Sequence, residues 1–264
     1  MLIKLIRNAT LILKYHNLKF LVDPMLGEKG TMAPFPSEER ADVKNPLVEL
    51  PVPMEELLLV DAVLVTHLHP DHFDREATRQ LPKDIPVFVQ SEHDKDKLSS
   101  WGFEDVRLFD EAVFHGVTMH RVPAQHGYDP ETAEKIGIGS GIVLSAKDEQ
   151  TLYLTGDTVW YDPVKATLDQ YRPKVIVASV GGNALPGRPL IMDEHDLVKM
   201  HEYYPKGIII ACHMEALNHW VTSRETLRKT ALMHGFDDQL IVLEDGEFVQ
   251  LLNMKIDEDG NIVR

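Results

Sequence analysis

The heptad Thr66-His67-Leu68-His69-Pro70-Asp71-His72 places four potential metal ligands, His67, His69, Asp71 and His72, within six consecutive positions. Neutral imidazole and carboxylate together suit zinc, manganese or iron. A lone histidine on an apolar face is usually a satisfied core residue, but titratable groups crowded this closely perturb one another strongly. The heptad therefore reads as a metal site. Three further residues share its context, each the first titratable group beyond the end of an apolar run. His126 follows the run 117–122, Asp157 follows 151–155 after Gly156, and His213 directly follows 208–212. Strand ends along one sheet edge lie close in space, and α/β proteins place their sites there. Singly, His126 reads as well as a loop histidine, Asp157 as a turn carboxylate and His213 as a polar neighbour of a helix. Their company with the heptad makes them candidates.

The pattern also gives the elements that must hold these groups. Asp61-Ala-Val-Leu-Val65 is apolar and reads as a buried strand. Pro70 forbids continuation into a sheet ladder and biases His69 towards an extended backbone, so the ligands sit on a tight loop leaving that strand. The start of the chain predicts strands at 2–7, 10–15 and 18–22, with a two-residue turn at His16-Asn17 and a close at Asp23-Pro24. Residues 26–53 are proline-rich and without period, which reads either as a loop covering the site or as a plain surface insertion. Further strands are expected at 86–89, 106–109, 117–122, 141–146, 151–155, 175–179 and 207–211. Helices are expected from a Ser91 cap to Gly102, over 163–171, from Asp193 to Tyr204, and from a Thr222-Ser-Arg-Glu225 capping box to Gly235. A closing hairpin around Asp245-Gly246 would join 240–243 to 247–251. No repeat or linker interrupts this order, so a single mixed α/β domain over 1–264 is the economical reading.

Composition narrows the function classes. The chain has 264 residues, 44% hydrophobic and 26% charged, which suits an ordinary globular protein with a sizeable core. No uninterrupted apolar run of about 18 residues exists, so no membrane span is expected. Residues 1–8 lack a long apolar core and a small-residue cleavage site, which argues against a secretory signal. Cys212 is the one cysteine, which rules out an internal disulfide, agrees with a reducing compartment and makes the cytoplasm the expected location. The net charge of -15 argues against a nucleic-acid backbone as main partner. Two divalent cations would offset four of those negative charges.

In order and spacing, the chain resembles the metallo-β-lactamase superfamily. The family pattern is His-x-His-x-Asp-His, a later histidine, an aspartate after glycine and a last histidine, and every element is matched here across nearly the whole chain. The resemblance implies a four-layer αββα sandwich, two mixed β-sheets flanked by helices. It implies that His67, His69 and His126 bind one metal, that Asp71, His72 and His213 bind a second, and that Asp157 bridges both. Two cations held close together need such an anion between them. The ions would be zinc or manganese. More narrowly, the hairpin ending in Asp23-Pro24 and the tail His213-Met-Glu-Ala-Leu-Asn-His219 look like the branch containing bacterial ascorbate-6-phosphate lactonase and N-acyl-phosphatidylethanolamine phospholipase D. His69 stands where the diiron flavoprotein branch has glutamate, and no cysteine stands at the bridging position, unlike several true β-lactamases. Members of this branch often assemble, so a homo-oligomer is an open expectation.

The expected activity is metal-dependent hydrolysis of a small ester-like metabolite, a lactone first. The alternatives are a phosphodiesterase and a metal-binding regulatory protein without turnover. Asp71 is expected to orient the hydroxide and to shuttle its proton to the leaving group. Asp23 reads as a partner that orients a ligating histidine. His219 either touches substrate or packs beside Trp220, and Arg188 either binds an anionic group or is solvated in a glycine-rich turn. Cys212 reads as inert packing.

Overall fold

Short apolar strands alternating with helices build two sheets packed face to face with helices on the outside. The structure, a computed structural model, describes residues 1–110, 112–251, 255–256 and 262–263. The first half of the chain contains β1 (Leu2–Arg7), β2 (Thr10–Tyr15), β3 (Leu18–Val22), α1 (Met54–Leu58), β4 (Ala62–Leu64), α2 (Arg75–Gln80), β5 (Val87–Val89), α3 (Glu92–Ser100) and β6 (Val106–Leu108). There follow β7 (Ala112–Phe114), β8 (Val117–Gln125), α4 (Pro130–Ile136), β9 (Ile138–Ala146), β10 (Leu152–Leu154), α5 (Asp162–Tyr171) and β11 (Val175–Ser179). The remainder is β12 (Ala184–Leu185), β13 (Arg188–Pro189), α6 (Glu194–Tyr203), β14 (Ile208–Cys212), α7 (Arg224–His234), β15 (Leu240–Val242), β16 (Phe248–Gln250), β17 (Lys255–Ile256) and β18 (Ile262–Val263).

The first sheet has the order β16-β1-β2-β3-β4-β5-β6 and the second β15-β14-β11-β10-β9-β8-β7. Both are mixed: β1 to β3 are antiparallel and β3 to β6 parallel, while β7 to β10 are antiparallel and β10, β11, β14 and β15 parallel. Strands buried on both faces need continuous apolar sequence, and β11 and β14 have it. Val175 and Val177 of β11 point into the core between the sheets, whereas Ile176 and Ala178 pack with Leu168, Leu197 and Leu227 of the covering helices. On the other side, Leu57, Ala77 and Leu98 from α1, α2 and α3 cover Leu21, Val63 and Val87. The four-layer sandwich expected from the sequence is the fold observed.

Local signals set most boundaries. His16 and Asn17 both adopt positive φ (49° and 64°), as the primed turn between β2 and β3 demands. Ser91 caps α3 by accepting from the Asp94 N–H, and Gly235 ends α7 at φ 72°. Two expectations fail. The cap of α7 is Ser223, which accepts from the Thr226 N–H, because the Thr222 hydroxyl is taken by Glu194 at 2.5 Å. Asp245-Gly246 is not a hairpin: β15 pairs with β14 in one sheet and β16 with β1 in the other, so the chain crosses between sheets there. Strands β8 and β9 also run longer than the pattern suggested, pairing out to Gln125 and Ile138. No helix among the described residues is long and apolar enough to cross a membrane.

Residues 26–53 form no strand beyond a single Met32–Asn45 bridge, yet they are tied down. The guanidinium of Arg7, fully buried, donates to the carbonyls of Met25 (2.9 Å), Gly27 and Val48 (2.9 Å). It thus ties the beginning of the segment to its end. Buried Asn218 donates to the carbonyls of Phe35 (2.8 Å) and Arg40 (3.0 Å) and accepts from Phe35 N–H (3.0 Å) and Asn45 Nδ2 (2.8 Å). The segment is a strap across one edge of the two sheets.

Candidate metal centre

The C-terminal ends of β3, β4, β8, β10 and β14 meet at that edge, and each releases a candidate residue: Asp23, the heptad, His126, Asp157 and His213. Close backbone approach at two glycines permits this convergence. A Cβ on Gly156, which has φ +61°, would lie 2.2 Å from the Ser140 carbonyl oxygen, and one on Gly181 would lie 1.9 Å from the His213 carbonyl oxygen. Asn8, in the β1–β2 turn with φ 54°, accepts from the His213 N–H at 2.8 Å and donates through Nδ2 to the Asp71 carbonyl at 3.1 Å. One turn residue therefore fixes two of the loops.

All seven candidates from the sequence come together, in two groups. His67, His69 and His126 form one; Asp71, His72, Asp157 and His213 form the other, and within each group the potential ligand atoms lie within 4.8 Å of one another. His67 Nε2 and His69 Nδ1 are 2.9 Å apart, and His72 Nε2 and His213 Nε2 are 3.2 Å apart. Asp157 Oδ2 lies 3.2 Å from His72 Nε2, 3.4 Å from His213 Nε2 and 3.6 Å from His126 Nε2, so one carboxylate faces both groups. His69 is oriented by its other nitrogen, Nε2, which lies 2.9 Å from the Ile136 carbonyl. Asp23 stands behind His72, with Oδ2 at 2.9 Å from Nδ1, and is itself held by the N–H (2.7 Å) and hydroxyl (2.8 Å) of Thr66.

The electrostatics differ between the groups. Burial, with His72 and His69 adding to it, pushes the His67 imidazole well below its ordinary range, and burial also lowers His69. Burial alone would lower His72 as well, but Asp157, Asp23 and Asp71 raise it well above its ordinary value. His213 goes up to about 9 against burial, chiefly through Asp157 and Asp71. Burial would raise Asp71 and Asp157, yet His72 and His213 hold both carboxyls well below the ordinary carboxylate range. Three buried carboxylates, Asp23, Asp71 and Asp157, therefore draw positive charge into this half of the cluster. Both ring nitrogens of His126, Asp157 Oδ1 and His213 Nδ1 are buried without a hydrogen-bond partner. Buried polar atoms are normally paired. Imidazole and carboxylate donors left over at this density fit divalent cations, which would satisfy both the donors and the charge.

A cavity of about 210 Å³ opens on the cluster, lined by Asp71, His69, His126 and Asp157 at one side and by Phe35, Ile136, Leu185, Leu190 and Ile191 at the other. His219 lines it too, edge-on to Phe35 with ring centroids 4.7 Å apart and 3.3 Å from Asn183 Nδ2. Burial lowers the His219 imidazole to about 4, so it is neutral. The structure does not bring Arg188 to the cluster. It lies on β13 with its guanidinium 3.7 Å from Glu131 and lines a neighbouring cavity instead. Cys212 is buried under the site, its thiol pushed up to about 12 by burial, and takes no part in the cavity. Sequence reasoning missed Asn183, Asn8 and Phe35. An asparagine in a hairpin turn was a usable signal for Asn8; nothing local marks Phe35.

The beta-lactamase superfamily domain matches residues 19–214. The chain is 44% identical over 245 residues to UPF0173 protein YddR of Bacillus subtilis (strain 168), covering 92% of this chain and 96% of that relative. Two crystal structures superpose with a TM-score of 0.91, each covering 95% of this chain and 99% of the other. They are an isothiocyanate hydrolase from Delia radicum gut bacteria, 37% identical, and a possible metal-dependent hydrolase from Veillonella parvula, 38% identical.

Proposed function

This chain belongs to the metallo-β-lactamase superfamily and, within it, to the UPF0173 metal-dependent hydrolases, and from that premise we propose that it hydrolyses a small uncharged carbon electrophile at a dinuclear centre. His67, His69 and His126 would hold one ion, Asp71, His72 and His213 the other, and Asp157 would lie between them. When bound, zinc or manganese supplies Lewis acidity that lowers the pKa of water towards about 7 and polarises the electrophile.

The chain's own residues do the rest. Asp71, at the cavity wall with its Oδ2 3.3 Å from His213, orients the attacking oxygen and carries its proton to the departing atom. Neutral His219 and Asn183 present polar atoms to the substrate, since His219 Nδ1 and Asn183 Oδ1 are buried and unpartnered. Phe35, Leu190 and Ile191 exclude bulk water.

The observation that carries the uncharged substrate is the pairing of the nearby cations. Lys135 and Arg188 both face Glu131, Arg40 faces Glu39 at 2.9 Å and Glu38 stands at the same rim beside the Gly187 N–H, so three cations meet three carboxylates and the cavity's surroundings offer no excess positive charge to a phosphate. A lactone meets these demands. An isothiocyanate is the second reading, supported by the 37% identity to an isothiocyanate hydrolase over 95% of this chain. In both, hydroxide adds to the electrophilic carbon, and the proton goes to the leaving oxygen of the lactone or to the nitrogen of the isothiocyanate.

The test is hydrolysis by the manganese- or zinc-loaded protein against lactone, isothiocyanate and phosphodiester panels, with Asp71→Ala alongside. Turnover of a carbon electrophile that the substitution abolishes is expected. Turnover of phosphodiesters alone would overturn the reading, and two bound metals with no turnover would favour a regulatory protein.

A further inference from the structure

Beside the cavity at the cluster lies a second one of about 440 Å³, and the two share Leu185 and His219 as walls. The first cavity alone is smaller than the roughly 300 Å³ at which ligand pockets begin, and the neighbour brings the pair well inside that range. The second cavity is bounded on one side by the β12–β13 hairpin, with Ala184, Leu185 and Pro189, and on another by Trp220 and Val221. The strap closes it with Ser37 to Arg40. We propose that this cavity is a subsite for an apolar tail, so that the substrate is an elongated molecule with its electrophilic carbon at the cluster and an alkyl or aryl chain along Leu185 and Trp220.

Charge decides against an anionic tail. Arg40 stacks on Trp220 with its guanidinium carbon 4.2 Å from the ring centroid, and its donors are committed to the carbonyls of Asn218 and Trp220 and to Glu39. Arg188 lies near Glu131, and Glu38 accepts from the Gly187 N–H at 3.2 Å. The cations of this cavity are offset by carboxylates, which leaves apolar burial as the available source of affinity. His219, buried and with Nδ1 unpartnered, stands at the junction, where a heteroatom linking head and tail would pass.

The inference rests on the carbon-electrophile reading, and its test separates the two. Binding of unreactive N-alkyl amides, methyl to hexyl, is measured by calorimetry on the metal-loaded protein. Affinity is expected to rise about fourfold per methylene, the size that burial of one CH₂ gives. Trp220→Ala and Leu185→Asn are each expected to flatten that rise. Affinity indifferent to chain length, or a rise that survives both substitutions, would overturn the tail subsite. Turnover of methyl isothiocyanate or an unsubstituted butyrolactone is measured in parallel; its absence would count against the carbon-electrophile reading and would leave the binding series to decide the subsite.

Discussion

The heptad and the strap line the same small cavity, but they are held in place by different means. The heptad is fixed from within: His72 and Phe73 N–H both bond the His69 carbonyl at 2.9 Å, and the buried Asp23 carboxylate holds Thr66 and His72 together. The strap has almost no backbone ladder of its own and hangs on side chains from elsewhere, Arg7 at its ends and Asn218 at its middle. Metal ligands need positions accurate to a fraction of an ångström, and strand ends with buried carboxylates provide that. An apolar wall needs only to exclude water, so a few side-chain hydrogen bonds suffice.

Substitutions can break this division of labour or sharpen it. The largest effect is expected on the heptad side, where Asp71→Ala should lower kcat about a hundred- to ten-thousandfold with a much smaller change in KM; an unchanged kcat would remove Asp71 from the mechanism. His69→Ala or His126→Ala should cost bound metal, read as stoichiometry by elemental analysis, together with a lower Tm, because ligation stabilises the folded state. Full occupancy in either variant would contradict the assigned ligand sets. Asp23→Ala leaves the Thr66 N–H, the Thr66 hydroxyl and His72 Nδ1 without their acceptor. It should weaken metal binding about ten- to a hundredfold and destabilise the fold by about 1–3 kcal/mol.

On the strap side the pattern should reverse. Asn218→Ala unpairs the backbone of Phe35 and the carbonyl of Arg40, which should cost about 1–3 kcal/mol and raise KM while metal content stays intact. Loss of metal in that variant would show that wall and ligands are one cooperative unit. The smallest effect belongs to Arg188→Ala. Its side chain is 41% exposed and its 3.7 Å ion pair is worth little, so stability should move by no more than about 0.5 kcal/mol and turnover of an uncharged probe by about twofold at most. A tenfold loss confined to an anionic probe would restore an anion-binding role.

What was legible in the sequence follows the same division. The heptad stood out because ligand-bearing residue types at short spacing after an apolar strand are a local signal, and the strands at 2–7, 10–15 and 18–22 were legible because a period of two with a two-residue turn is local as well. The strap showed only as missing periodicity, since its anchors Arg7 and Asn218 lie outside it in the chain. The Asp245-Gly246 error has the same origin. A glycine turn between two apolar runs looks identical whether the runs pair with each other or, as here, with β14 and β1 in different sheets.

By itself, then, the sequence determined the candidate ligand types and the strand ends that carry them, because residue chemistry and hydrophobic period are properties of short stretches, whereas the sandwich was expected only through the resemblance to a known superfamily. Only the tertiary structure decided that Phe35 and Asn183 line the cavity, that the nearby cations are paired, and that a second cavity opens at Leu185 and His219. Each of those facts is a contact between residues far apart in the chain, and such contacts are settled by how the two sheets and the strap pack, which no local pattern encodes.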